Sequence, residues 1–216
     1  MFDEHLENKG LISHKGTIVD ATFVDAPRQR NSRDENKKIK NGVIPEEWEK
    51  PENKSKLAQK DIDADWTKKN GERHFGYKDH VKCDADSKLI TNYSVTSASV
   101  HDSQRCLVFI GQEDEVLYAD SAYSGKPIAL ALPENCKNQI CEKGYRNSPL
   151  TSEQKMNNRR KSRIRCRIEQ IFGFMTGAMH GITIRSIGIT RAWMNIGITN
   201  LVYNFCRYSY LKGASA

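Results

Sequence analysis

The chain has no apolar run approaching the roughly 18 residues that a membrane-spanning helix requires, which excludes a membrane span by that measure. Its opening residues, MFDEHLENKG, are acidic and polar, so they do not form a secretory signal. Cys83, Cys106, Cys136, Cys141, Cys166 and Cys206 include no CxxC pair, and the histidines make no HExxH. His74 and His80 fit no common zinc spacing on one element, so both residue types read as non-ligands and the thiols as reduced. Apolar residues are also scarce, at 38% with a mean hydropathy of −0.69. A real core therefore has to coexist with a large polar insertion. A cytoplasmic location is the expectation, and the length of 216 residues suits one sizeable domain or one domain with an extension. A net charge of +7 and a pI near 9.1 point to an anionic partner, most simply nucleic acid.

The basic charge concentrates in residues 159–173, RRKSRIRCRIEQIFG. Ile164, Ile168, Ile171, Phe172 and Met175 recur at a helical period and give one apolar stripe on an otherwise basic helix. Glu169 sits beside that stripe, one turn beyond Arg165. On this stretch alone, two readings stand. Glu169 either pairs with Arg165 four residues back or ligates a metal ion facing a polyanion.

In chain order, residues 1–15 read as a short helical remnant stopped near Gly10, and residues 16–212 as the main domain. GTIVDATFV is a β-rich run interrupted by Asp20, an acid that is costly to bury without a partner. Residues 26–73 are polar and charged, and read as a mobile irregular insertion with isolated anchors such as Trp48 and Trp66. Asp61, Asp63 and Asp65 resemble a calcium loop only in their first spacings. Two β-rich segments around a turn at 84–88 then predict an antiparallel hairpin, and His101-Asp102-Ser103 a helix start. VLYA forms a short strand that ends at Asp120, a position where ligands of α/β sheets gather. Short helical and strand segments follow, then the basic helix starting at Thr151 and a final amphipathic helix over 191–211. This order matches an α/β, ribonuclease H-like layout, a mixed sheet flanked by helices.

The local words around the three acids are specific. GTIVDAT at Asp20, HFGYKDHVKCDADSKLI, TSASVHDSQ, YADSAYSG at Asp120 and RIRCRIEQIFG at Glu169 occur in this order over residues 16–205. In them the chain resembles the catalytic part of DDE transposases from bacterial insertion sequences, in the groups called insertion sequences four and five. The resemblance implies that Asp20, Asp120 and Glu169 are the catalytic, metal-binding triad. It also implies Mg²⁺ or Mn²⁺ as cofactor, transposon ends and target DNA as partners, a homo-oligomer on DNA, and cleavage and strand transfer as the reaction. Two metal ions about 3.5–4 Å apart need several hard oxygen ligands, so three carboxylates make a minimal cage.

These groups carry a Y-R-E-K signature. Arg165 and Glu169 match it, while Ser162 stands at the Tyr position and Thr176 at the Lys position. Both replaced residues normally contact DNA near the cleaved end. Arg165 carries over as a DNA-phosphate contact, with Arg163 and Arg167 beside it; Lys78 and His80 read chiefly as structural. Few residues precede Asp20, too few for a helix-turn-helix, so non-specific duplex binding is expected of this chain. A truncated, non-catalytic DNA-binding remnant or regulator of a full-length transposase is the rival reading, followed by a metal-dependent nuclease of the same fold.

Overall fold

The computed structural model describes residues 2–69 and 71–214. A six-stranded mixed sheet is built from β1 (Thr17–Asp25), β2 (Asp65–Lys69), β3 (Glu72–Asp84), β4 (Ile90–Ser97), β5 (Val116–Ala119) and β6 (Lys137–Asn138). The long β3 pairs antiparallel with β1, β2 and β4, while β5 runs parallel to β1 and β6 parallel to β5. Setting aside β2, the order β4-β3-β1-β5-β6, with its first three strands antiparallel and its last two parallel to β1, is the ribonuclease H-like sheet expected from the sequence.

Alternation along β1 explains the layers, because successive side chains of a strand point to opposite faces. Ile18 packs with Val81 and Cys83 against Ile168, Ile171 and Met175 of α8 (Arg167–Gly177). Its neighbour Val19 packs on the other face with Leu117 and Ala119, against Cys106 and Phe109 of α5 (Ser103–Phe109) and Ile128 of α6 (Lys126–Ala131). Each fully buried aliphatic side chain of this kind stabilises the fold by about 1.5–3 kcal/mol. The last helix, α9 (Ile189–Ala214), closes the α8 side over Tyr77 and Val95 through Ala192 and Ile196. The N-terminal helix α1 (Phe2–Asn8) stops as expected: Gly10 adopts φ +66°, and Leu11 N–H donates to the Leu6 carbonyl.

The polar insertion departs from the expected irregular loop. It carries α2 (Arg33–Lys40), α3 (Glu46–Glu49), a 3₁₀ turn at Pro51–Asn53, α4 (Lys54–Ala58) and strand β2. Ser32 and Glu35 form a reciprocal capping box at α2, and Glu35 Oε1 also accepts from the fully buried Trp48 indole at 2.7 Å. The three acids with the spacing of a calcium loop go to separate partners. Asp61 accepts from Tyr77 Oη at 2.6 Å, Asp63 from the Ile189 N–H that opens α9 at 2.8 Å, and Asp65 from the Trp66 N–H at 2.7 Å.

The basic helix begins where expected, with Thr151 capping α7 (Ser152–Arg165), but it does not run on unbroken. Cys166 interrupts it with ψ −9°, and α8 resumes at Arg167 with a tightened junction in which Glu169 N–H donates to the Cys166 carbonyl at 3.1 Å.

Candidate functional site

The strand pairing brings the first two acids together. β1 and β5 are in register at Val19 and Ala119, and continuing that parallel register by one residue sets Asp120 beside Asp20. Asp20 shares the parity of Ile18, and Asp120 that of Tyr118, which packs into the same core cluster. Both acids therefore lie toward the face covered by α8. Glu169 is in the first turn of α8, where a carboxylate is favoured by the positive end of the helix.

Arg165, the last residue of α7, ties these elements together. Its Nη1 donates to Asp20 Oδ2 at 2.9 Å and its Nη2 to Glu169 Oε1 at 2.8 Å. The side chain of Asp20 is 16% exposed and that of Glu169 58%, so the bridge joins an inner acid to an outer one. Burial raises the Asp20 pKa above its ordinary value; the Ala21 amide, Arg165 and Lys69 oppose the rise and Asp120 adds to it. Burial works to lower the Arg165 pKa, but Asp20, Glu169 and Asp120 outweigh it and hold the guanidinium more firmly charged. Asp120 is exposed, and its Oδ1 accepts from the Ser121 N–H. A carboxylate crowded by a second carboxylate and withdrawn from water is stabilised by a nearby cation. In this arrangement Arg165 supplies that cation.

The other sequence-predicted positions diverge. Arg163 is exposed and its guanidinium has no hydrogen-bond partner among the described residues. Arg167 is engaged: its Nη1 donates to the Ala85 carbonyl at 2.6 Å and to Asp86 Oδ1 at 2.9 Å. At the two replaced signature positions, Ser162 Oγ lies 3.7 Å from Cys141 Sγ and Thr176 Oγ1 donates to its own helix at the Phe172 carbonyl. Lys78 and His80 are buried on the opposite face of β3, where Lys78 pairs with Asp102 at 2.8 Å and His80 meets Thr96 Oγ1 at 2.8 Å. Asp102 thus takes up Lys78 and gives α5 no side-chain cap. Tyr123 packs inside the core beneath Asp120.

Lys69 acts on Asp20 and was not singled out from the sequence. The Asn-Gly pair at 70–71, a hairpin signal between β-rich runs, could have lifted Lys69 out of the supposed loop.

The tightest group of possible metal ligands among the described residues lies elsewhere. His14, Glu113 and Asp114 place ligand atoms within 4.8 Å of one another, whereas the triad does not. Asp114 precedes β5, at the opposite end of that strand from Asp120, and Lys82 already compensates it at 2.8 Å and Glu113 at 3.6 Å. That cluster is a compensated ion-pair site, distinct from the acids that converge on Arg165.

The profile of the transposase DDE domain matches residues 12–205, spanning both strands and the helix that bear these acids. The chain belongs to the DDE transposase family. A curated member, the transposase for insertion sequence element IS1106 of Neisseria meningitidis serogroup B, is 30% identical over 182 residues. That match covers 80% of this chain and 58% of the relative, so this DDE-family chain spans less than two thirds of the length of the curated relative it matches. No solved structure matches it. No helix among the described residues is long and apolar enough to cross a membrane.

Proposed function

We propose that the chain carries the catalytic centre of an insertion-sequence transposase, with Asp20, Asp120 and Glu169 holding Mg²⁺ or Mn²⁺ and duplex DNA as substrate. The observation that carries this reading is the Arg165 guanidinium bridging Asp20 and Glu169, with Asp120 acting on the same charge. A constellation made only of hard oxygen donors, two of them already bridged by one cation, suits a divalent metal. Bound there, the metal would activate an attacking oxygen and stabilise the leaving 3′ oxygen.

The chain's own residues have defined parts in this reading. Asp20 is held by its strand and by the Ala21 amide, so it offers a fixed inner oxygen. Asp120 and Glu169 are exposed at the mouth and can adjust as ligands. Arg165 leaves the acids and turns to a DNA phosphate, the role the family signature implies for it. Arg163, exposed on the same helix, is the second phosphate contact; Arg167 could join only by giving up Ala85 and Asp86. The homo-oligomer belongs to the same proposal.

The test is a plasmid carrying element ends, incubated with the protein and Mg²⁺ or Mn²⁺. Cleavage at the ends and joined strand-transfer products, both abolished by EDTA, are expected. Cleavage without any joined product would make the chain a nuclease of this fold, and cleavage that survives EDTA would contradict the metal assignment.

A further inference from the structure

Apart from Lys69, the polar insertion has no part in the catalytic reading, yet it supplies most of the lining of a cavity of about 410 Å³. Three separate segments meet there: the strap after β1 with Arg28, helix α4 and the residues just after it with Lys56 and Lys60, and the loop ahead of α9 with Arg185. The acid in the lining, Asp61, is 5% exposed and already accepts from Tyr77 Oη and from the amides of Asp63 and Ala64. Glu35 balances Lys56 at 3.3 Å. Lys60 donates only to uncharged oxygens, those of the Arg30 carbonyl and the Asn31 side chain. The Arg28 guanidinium lies 5.8 Å from the centre of the Trp66 ring, and Arg185 is exposed. Among the described residues, Arg28, Lys60 and Arg185 have no carboxylate within ion-pair distance. Three uncompensated cations brought to one cavity from three segments repel one another, and an anion in the cavity relieves that cost.

We propose that this cavity is a second phosphate subsite that grips the backbone of duplex DNA away from the scissile bond. The proposal rests on the DNA-cleaving reading above. At about 3.3 Å per residue, β1 carries the chain on the order of 20 Å from Asp20 to the strap at Ala26. In the proposed pose the duplex runs along β1, and with phosphates advancing about 3.4 Å per base pair on each strand the gripped phosphate lies about six base pairs from the one at Asp20. The folded insertion thereby gains a purpose: it carries Lys60 to the DNA flank. Arginine and lysine reaching phosphate in this way add affinity and register without reading sequence.

The experiment measures duplex DNA binding by fluorescence anisotropy over a salt series, with phosphate ethylation interference on the same duplex. It compares wild type with Arg28→Gln, Arg185→Gln, the double variant and the charge-preserving Arg185→Lys. Melting temperatures confirm that each variant is folded, and Mn²⁺ affinity reports the acid cluster separately. The double variant is expected to lower the log–log salt slope by roughly 0.9, the loss of one phosphate contact, and each single glutamine variant by less, whereas Arg185→Lys keeps the slope. Interference about six base pairs from the cut should vanish in the double variant, with Mn²⁺ affinity unchanged. A wild type that binds DNA with a slope and interference pattern identical to those of the double variant would overturn the subsite alone. A wild type that binds no DNA would overturn the subsite together with the reading on which it rests.

Discussion

Arg165 Nη1 lies 2.9 Å from Asp20 Oδ2, although 145 positions separate the two residues in sequence. The same guanidinium reaches Glu169 one helical turn away. One positive charge thus holds the inner strand acid and the outer helix acid, across the break between α7 and α8. Of the two readings left open for Glu169 the structure holds the ion pair; under the proposed function the two are successive states of one site, the acid becoming a metal ligand once Arg165 withdraws.

Under the proposed metal assignment, guanidinium and metal compete for the same oxygens. Arg165→Ala leaves Asp20 and Glu169 without their cation, so in the absence of DNA the variant should bind Mn²⁺ more tightly than wild type. Mn²⁺ should also raise its melting temperature further, since a ligand that binds only the folded state stabilises it. Free Mn²⁺ measured by electron paramagnetic resonance, together with thermal melts, checks both effects. An unchanged Mn²⁺ affinity in Arg165→Ala would mean that the two cations do not share these oxygens.

A second outcome concerns acid stability. Asp79 is fully buried on β3, facing Asn200 of α9 at 3.3 Å, and burial pushes its pKa up to about 7. The folded protein therefore holds this proton more tightly than the unfolded chain. The resulting stabilisation is fully present below the ordinary Asp value of 3.8 and is lost as pH rises through about 7. Buried His80, lowered to about 4, works in the opposite direction below its ordinary 6.5. The readout is accordingly the difference between wild type and Asp79→Asn in urea midpoints from pH 5 to 8. Wild type should lose on the order of a few kcal/mol relative to the variant as pH rises. Parallel curves would remove Asp79 from the account.

The insertion should behave as a small folded unit of its own. Trp48 is fully buried beneath Lys56 and Lys60, outside the clusters that pack on the sheet. Trp48→Ala is expected to cost about 3–5 kcal/mol locally. It should open residues 33–60 to protease while the sheet stays intact by far-ultraviolet circular dichroism. Glu35 belongs to the same unit: the Ser32 amide first, with Trp48 and Lys56 also contributing, holds its pKa down to about 2. Its contribution is present above the ordinary 4.5 and is lost as pH falls toward 2, so the insertion should open first in acid. Equal protease resistance of wild type and Trp48→Ala would contradict this.

Much of the sheet was legible because its signals are local. β-branched runs bounded by turns placed β1, β3, β4 and β5, and the words around the acids carried the family. The Arg165–Glu169 pair was legible too, since it spans a single helical turn. The Arg165–Asp20 bond was not, because no local pattern joins a strand near the start to a helix near the end. The break at Cys166 left no trace in the sequence, since the apolar positions of α8 continue the period of Ile164. The insertion was misread because its helices depend on capping, on one buried tryptophan and on ion pairs, and an apolar period reveals none of these.

The central claim is that Asp20, Asp120 and Glu169 act as one metal-holding unit. The most direct measurement is Mg²⁺-dependent cleavage of element-end DNA by Asp20→Ala, Asp120→Ala and Glu169→Ala, each shown to be folded by its melting curve and to bind DNA. The account predicts that all three variants keep the fold and bind DNA but lose cleavage. Wild-type cleavage rates in Asp120→Ala or Glu169→Ala would contradict it.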